Sequence, residues 1–391
     1  MKKKIISFLL IIILLCMQTV KANEDVNNDS NALLENTTKK VGQDYEINEY
    51  ISKIDEYVKK QGIKDIDIVD ISKGLFSQNK LDCGNIFSKF IALFFKEVVV
   101  AARGAITIFL IFVIMALISS FEIEKNSDIT KIANLACFLV LSTITITSFV
   151  EVVNVFKNVV LSLTTLMQVI SPFMMGMLVA TGAITSIGII QPMLLFLASF
   201  IGLLINYVVI PFLSISVAIN VICSVSENIR LSKAAKAFNL AAMWIIGVSL
   251  TIFLGVLSLE TSLTSSVDSL AVKTTQAAVS NFVPVVGKFF SDSFEAVVGA
   301  SKVVSNVGGT IGIIGIILVS ILPIIKIGSV VIIYFLLSIV IEPIIKDDNI
   351  NKFINGFLNT YKTIFGILIG VDIIFIISTG IILNLTNAVV K

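Results

Sequence analysis

The chain has 391 residues, 56% of them hydrophobic and 14% charged, with a mean hydropathy of +0.98 and a formal charge of +2. Soluble domains carry about 25% charged residues, so this chain cannot keep a water-facing surface, and the expected class is an all-α polytopic membrane bundle. It has no histidine, which excludes Ser–His–Asp hydrolysis, Cys–His proteolysis, HExxH zinc chemistry and His-ligated haem.

Residues 1–22 read as a secretory signal. Lys2–Lys4 form a basic start, Ile5–Met17 an apolar run, and Val20-Lys21-Ala22 a cleavage site after Ala22. A retained anchor is the second reading, although the run is short for a span. Lys2, Lys3, Lys4 and Lys21 are four of the 29 basic residues; without them 25 basic residues face 27 acidic ones, a net charge of −2. No basic surface for nucleic acid is expected. Cys16 falls in the signal, and Cys137 and Cys223 fall in apolar runs. Cys83 is then the only thiol in an oxidising compartment, so no disulfide framework is expected.

Residues 23–95 form the expected extracytoplasmic domain, small, helical and docked on the membrane. Asn23–Asn36 is Asn- and acid-rich, a disordered composition. Over Tyr45–Lys60, Ile47, Tyr50, Ile51, Ile54, Tyr57 and Val58 recur at helical spacing, and Gly62 ends the run. Leu75–Phe95 is a second amphipathic stretch. Lys89, Lys96 and Arg103 recur every seven residues along its continuation, which suits an interfacial helix turning into the first span or a helix packed on its neighbour.

Stretches free of Asp, Glu, Lys and Arg then mark the membrane: 104–121, 132–150, 158–226, 237–259, 303–325, 327–341 and 373–390. A span needs about 20 residues. Pro172, Gly182, Gly188, Pro192, Gly202 and Pro211 punctuate the longest stretch. The expected spans are 98–118, 132–153, 159–180, 184–205, 207–225, 237–259, 305–325, 327–345 and 363–385. The first six lie in 96–259, and the last two or three in 303–391. Lys326 marks a tight cytoplasmic turn between two of them. If 303–345 crosses once, the total is eight rather than nine. The loop 226–236 carries Arg230, Lys233 and Lys236 and is cytoplasmic by the positive-inside rule. Glu342-Pro343 closes the eighth span, because proline cannot continue the helix.

Residues 260–302 are too polar to span. On a helix, Val286, Phe289, Phe290, Phe294, Val297 and Val298 form one broad face, with Lys288, Asp292, Glu295 and Lys302 opposite. Ser262–Ala278 is a second amphipathic helix, and Asn281-Phe282-Val283-Pro284 joins the two, with Pro284 placed at a helix start. The pair either lies on the outer leaflet, or it lines a cavity or docks a partner. Asn281, Phe282, Pro284, Val286, Gly287, Phe290 and Val297 are the candidate partner-facing residues. Small residues such as Gly287, Gly299 and Ala300 allow close helix approach.

Asp372 sits near the middle of the last span. A charge there costs about 2.5–3.5 kcal/mol on insertion scales, so it faces protein or water. It serves either ion coupling or interhelical hydrogen bonding. A pair of carboxylates for intramembrane proteolysis is missing. No GxxxxGK[ST] motif occurs, because Gly287-Lys288 is followed by Phe289.

In its order of features the chain resembles the stage III sporulation protein AE family of endospore formers, with a low-GC, clostridium-like composition. The residues that carry the resemblance are Asn281-Phe282-Val283-Pro284-Val285-Val286-Gly287-Lys288, Val298-Gly299-Ala300-Ser301, Leu322-Pro323-Ile324-Ile325-Lys326 and Glu342-Pro343. The resemblance implies a non-enzymatic, cofactor-free subunit of the mother-cell membrane around the forespore. Its expected partners are the other proteins of the AA–AH complex, including a cytoplasmic ATPase and ring proteins between the membranes. Together they form a secretion-like channel. The alternatives from other classes are a stand-alone ion-coupled secondary transporter and a passive scaffold.

Overall fold

The computed structural model describes residues 45–63, 68–69, 71–72, 83–120, 127–180, 184–225, 231–282, 286–343 and 348–389. The signal segment and Asn23–Asn36 lie outside them. Eight α-helices account for nearly all of it: α1 (Tyr45–Lys60), α2 (Cys83–Ser120), α3 (Ser127–Ala180), α4 (Ile184–Leu204), α5 (Ile210–Val225), α6 (Ser232–Phe282), α7 (Val286–Ile341) and α8 (Asp348–Val389). Among the described residues there is no strand.

α1 forms where the periodicity placed it. Ile47, Tyr50, Ile51, Ile54 and Val58 are buried on one face. Glu49–Lys53 and Glu56–Lys60 ion pairs, at 2.7 and 2.8 Å, line the other. Both run acid-before-base at i,i+4, the favourable order. Gly62 takes φ 94°, the left-handed conformation that ends a helix at little cost to glycine. α2 carries the chain through residues 95 and 96 without a turn.

The structure has six helical segments long and apolar enough to cross a membrane among the described residues, not eight or nine: Ile91–Ile118, Ile132–Val179, Ser186–Ser224, Ser232–Asp268, Val304–Ile341 and Asn349–Leu385. The expected spans 132–153 and 159–180 are one helix, α3. The expected spans 184–205 and 207–225 form one line through α4 and α5, joined by a π turn at Ile205–Val209. Pro211 has no N–H for the Tyr207 carbonyl, and the widened turn lies just before it. Residues 303–341 are one unbroken stretch of α7, a single candidate crossing. Pro172, Pro192 and Pro323 all sit inside helices. In an apolar setting, neighbouring groups re-satisfy the backbone around a proline, so these three prolines did not end their helices.

α7 and α8 form the centre, with 56% and 50% of their apolar windows buried, against 17% for α2 and 22% for α6 at the rim. Phe353, Phe357 and Tyr361 recur every four residues on α8 and are fully buried. Phe138 meets Phe353 at 5.1 Å between ring centroids, and Tyr334 meets Tyr361 at 4.8 Å. These edge-on aromatic contacts tie α3 and α7 to α8.

Side-chain contacts set the up-and-down order. At one end Phe138 meets Phe353, the Ser216 hydroxyl donates to the Ala235 carbonyl (2.9 Å), and the Asn239 amide donates to the Thr360 hydroxyl (3.0 Å). At the other end Thr379 meets Met167. There the buried Asp268 carboxylate accepts from both the backbone N–H and the hydroxyl of Ser186, at the start of α4. A carboxylate at a helix start satisfies orphan N–H groups and the local dipole. The α2–α3, α5–α6 and α7–α8 junctions therefore share one end. Lys233, Lys236, Lys352 and Lys362 stand toward that same end.

Candidate functional site

α1 does not rest on the outside of the bundle. It lies alongside α7, and a row of glycines makes room for it. The Tyr50 hydroxyl donates to the Gly308 carbonyl at 3.0 Å, and its ring stacks on Phe173 at 3.9 Å between centroids. Burial pushes the Tyr50 phenol up, which keeps it a donor. A Cβ on Gly312 would stand 2.9 Å from the Tyr50 oxygen, and one on Gly315 would stand 2.6 Å from Ile54 Cγ2. The small residues thus set the helix separation. Farther along, the Gln61 amide donates to the Ser162 hydroxyl of α3 at 2.7 Å, and Gly62 sits beside Leu322. The contact stretch on α7, from Gly308 to Leu322, falls inside an apolar crossing window.

This seat gives one flank of the bundle a polar surface. Glu49, Lys53, Glu56 and Lys60 project from α1. The carboxylate of Glu56 is held below, and the ammonium of Lys60 above, its usual range by their mutual hydrogen bond. On α3, Glu151, Asn154, Lys157, Asn158, Thr165 and Gln168 fall within an arc of about 120° at 100° per residue. All are exposed except the half-exposed Thr165, and Leu161 alone interrupts the stripe. Lys326 of α7 joins it through a 3.0 Å ion pair with Glu151. The rest of the circumference is different. α2 exposes Val99, Ile106, Leu110 and Ile114, and α6 exposes Leu240, Trp244, Val248 and Ile252.

Lys326 corrects an expectation. It lies at no turn between spans, because α7 runs unbroken from Val286 to Ile341. Its charge is met sideways by Glu151, so no chain reversal is needed to bring it to water. Glu342-Pro343, by contrast, does close the helix, which ends at Ile341.

Asp372 is 5% exposed, inside α8. Ser320 of α7 faces it, and among the described residues Oδ1 has no hydrogen-bond partner. Asp372 therefore lies at the α7–α8 contact and away from the polar flank. A hydroxyl facing a carboxyl is the kind of contact that polar residues make between membrane helices.

The basic loop leads to a second polar feature. Lys233 is exposed on the first turn of α6, Lys236 lines a cavity, and Arg230 lies outside the described residues. The cavity, about 440 Å³, lies between α5, α6 and α8. Asn220, Asn239, Asn355, Asn359 and Lys352 line it together with Lys236. A Cβ on Gly356 would stand 2.5 Å from the Asn220 amide carbon, so glycine is needed for this approach.

The expected partner-facing residues divide. α6 ends at Phe282 and α7 begins at Val286, so the two amphipathic segments are the ends of long helices. Asn281, Phe282, Val286, Gly287, Phe290 and Val297 are helical, but their side chains lie outside the described residues, and Pro284 lies outside them entirely.

With this geometry in view, the comparisons with known proteins decide the family. The profile of the stage III sporulation protein AE family matches residues 66–386. The chain belongs to that family. One relative, the stage III sporulation protein AE of Bacillus subtilis (strain 168), is 27% identical over 220 residues, covering 56% of this chain and 55% of the relative. The match thus spans about half the length of that relative. No solved structure matches. The family match includes α2–α7 and nearly all of α8, but it begins after α1. The chain is a multi-pass membrane protein of a sporulation family.

Proposed function

We propose that this chain is the multi-span membrane subunit of a secretion-like channel between mother cell and forespore, required for sporulation after engulfment. It is not an enzyme. It works with the other AA–AH stage III proteins, among them a cytoplasmic ATPase that supplies the energy and ring proteins between the two membranes. The observation that carries this reading is family membership over residues 66–386. The polar flank supports it, because a charged stripe along an apolar bundle needs either water or a protein partner beside it.

The subunit sits in the mother-cell membrane around the forespore. The positive-inside rule assigns the α2–α3, α5–α6 and α7–α8 junctions to the cytoplasm, where Lys233 and Lys236 meet the ATPase side. The α6–α7 junction then faces the intermembrane space, where ring proteins dock. Deleting the gene tests this directly. Sporulation should stop after engulfment, with the other complex proteins still made; a normal spore yield would refute the reading.

A further inference from the structure

Along one edge the bundle is taller than a bilayer is thick. The apolar window of α3 runs 48 residues and that of α7 runs 38. At 1.5 Å per residue they are about 72 and 57 Å long. Membrane helices tilt by at most about 40°, and at that angle these two would still rise about 55 and 44 Å. The hydrocarbon core is about 30 Å thick. Neither helix fits inside it, so part of each stands outside.

The outward face of α3 shows which part. Toward its start it exposes Ile132, Leu135, Leu139, Val140, Ile146 and Val150. The two exposed threonines in that stretch, Thr143 and Thr147, turn their hydroxyls back to donate to the Leu139 and Thr143 carbonyls, each at 2.9 Å. Hydroxyls satisfied within their own helix are compatible with lipid. This face covers about 27 Å along the axis, close to one hydrocarbon core. At Glu151 it changes. From there to Gln168 the exposed residues are Glu151, Asn154, Lys157, Asn158 and Gln168, with Leu161 the one apolar exception. α7 repeats the division at Lys326, the partner of Glu151. Its exposed large apolar side chains, Phe335, Leu336, Ile339 and Val340, all lie between Lys326 and the Ile341 end. From Val304 to Ile325 none of its residues is exposed. α1 seats on that stretch and turns Glu49, Lys53, Glu56 and Lys60 outward. Acyl chains cannot solvate those charges. The Glu151–Lys326 pair suits the headgroup level, where long charged side chains reach water.

We propose that the lipid boundary along this edge lies at the Glu151–Lys326 pair. The halves of α3 and α7 toward Ile132 and Ile341 are embedded, and their far halves stand outside the hydrocarbon together with α1. A partner therefore meets this flank as a hydrated protein surface, not as a neighbouring helix in lipid. Residues 159–179 and 304–325 are apolar because they pack inside the bundle, not because they face acyl chains. The boundary follows from this chain alone; only the compartment that receives the far half rests on the channel reading. The full-length protein, with its native cysteines replaced, is reconstituted in vesicles of phosphatidylcholine and phosphatidylglycerol. A nitroxide is placed on single cysteines at Ile132, Leu139, Val140, Val150, Asn158 and Gln168, all exposed, so the label displaces no core packing. Its collisions with oxygen, which concentrates in hydrocarbon, are compared with its collisions with a water-soluble nickel chelate. The oxygen-to-nickel ratio should peak at Leu139 and Val140, fall toward Ile132 and Val150, and reach its aqueous value at Asn158 and Gln168. A lipid-like ratio at Asn158 or Gln168 would extend the bilayer over the polar flank and overturn the proposal. A ratio still rising through Val150, with aqueous values beyond it, would place a water-filled conduit at membrane depth and overturn it as well.

Discussion

Substituting Gly315 by alanine should lift α1 from its seat on α7. The new Cβ would stand 2.6 Å from Ile54 Cγ2, where carbon atoms in contact prefer about 3.5–4.0 Å. The overlap is therefore about 1 Å. Ile54 is fully buried, and its Cγ2 methyl is fixed to a branched carbon, so rotation offers little relief. Overpacking of this kind costs about 1–3 kcal/mol. Alanine also favours the helix over glycine by about 1 kcal/mol. That gain belongs to α7 whether α1 is seated or not, so it cancels from the docking equilibrium. A penalty near 2 kcal/mol raises the undocked population about thirtyfold. The assay is labelling of a cysteine at Ile51, buried in the seated helix, by a membrane-impermeant maleimide with the native cysteines replaced. Labelling should rise by that factor in G315A and fall back when Ile54→Ala removes the clash. Gly247→Ala, with nothing within 4 Å of its Cβ, should leave labelling unchanged. Equal labelling in G315A and the parent would refute the seat.

Three further outcomes follow from the same geometry. Lys326→Met removes the ion pair with Glu151; if that flank meets water or a hydrated partner, thermal unfolding should register less than about 1 kcal/mol. A loss near the 2.5–3.5 kcal/mol scale of an intramembrane charge would instead place the pair in lipid. Asp372→Asn keeps the side-chain shape and a hydrogen-bonding group toward Ser320, so spore yield should stay normal; a folded variant that blocks sporulation would give Asp372 a part in ion coupling. Replacing Val286, Phe290 and Val297 together by aspartate should abolish co-purification with the other stage III proteins while leaving membrane insertion intact, and undiminished co-purification would remove these residues from the interface.

Much of this architecture was legible in the residues. The buried stripe of α1, its end at Gly62 and the stop at Glu342-Pro343 follow from periodicity and backbone chemistry that act locally. The number of crossings did not, because proline breaks a helix only where nothing else satisfies the freed carbonyl. Pro323 is buried in the packed bundle and Pro172 is exposed on α3, yet neither ends its helix. Lys326 misled for a related reason: its partner, Glu151, is 175 positions away. The seat of α1 was invisible because it depends on pairing Gly308, Gly312 and Gly315 with Tyr50 and Ile54, and one sequence does not say which helices touch. The asparagines at 351, 355 and 359 did carry a signal. Their four-residue spacing marks a polar helix face, but they lie between charge-free windows, where hydropathy directs no scrutiny.

The proposed channel role needs the polar flank to face a partner in the complex. Cysteine accessibility tests that most directly. Single cysteines at Asn154, Asn158 and Gln168 on the stripe, and at Leu110 and Leu139 on apolar faces, are exposed to an impermeant maleimide in the isolated protein and in the complex from sporulating cells. The three stripe positions should label in the isolated protein and be protected on assembly, with Leu110 and Leu139 unlabelled in both. Stripe positions that resist labelling, or that label equally before and after assembly, would contradict it.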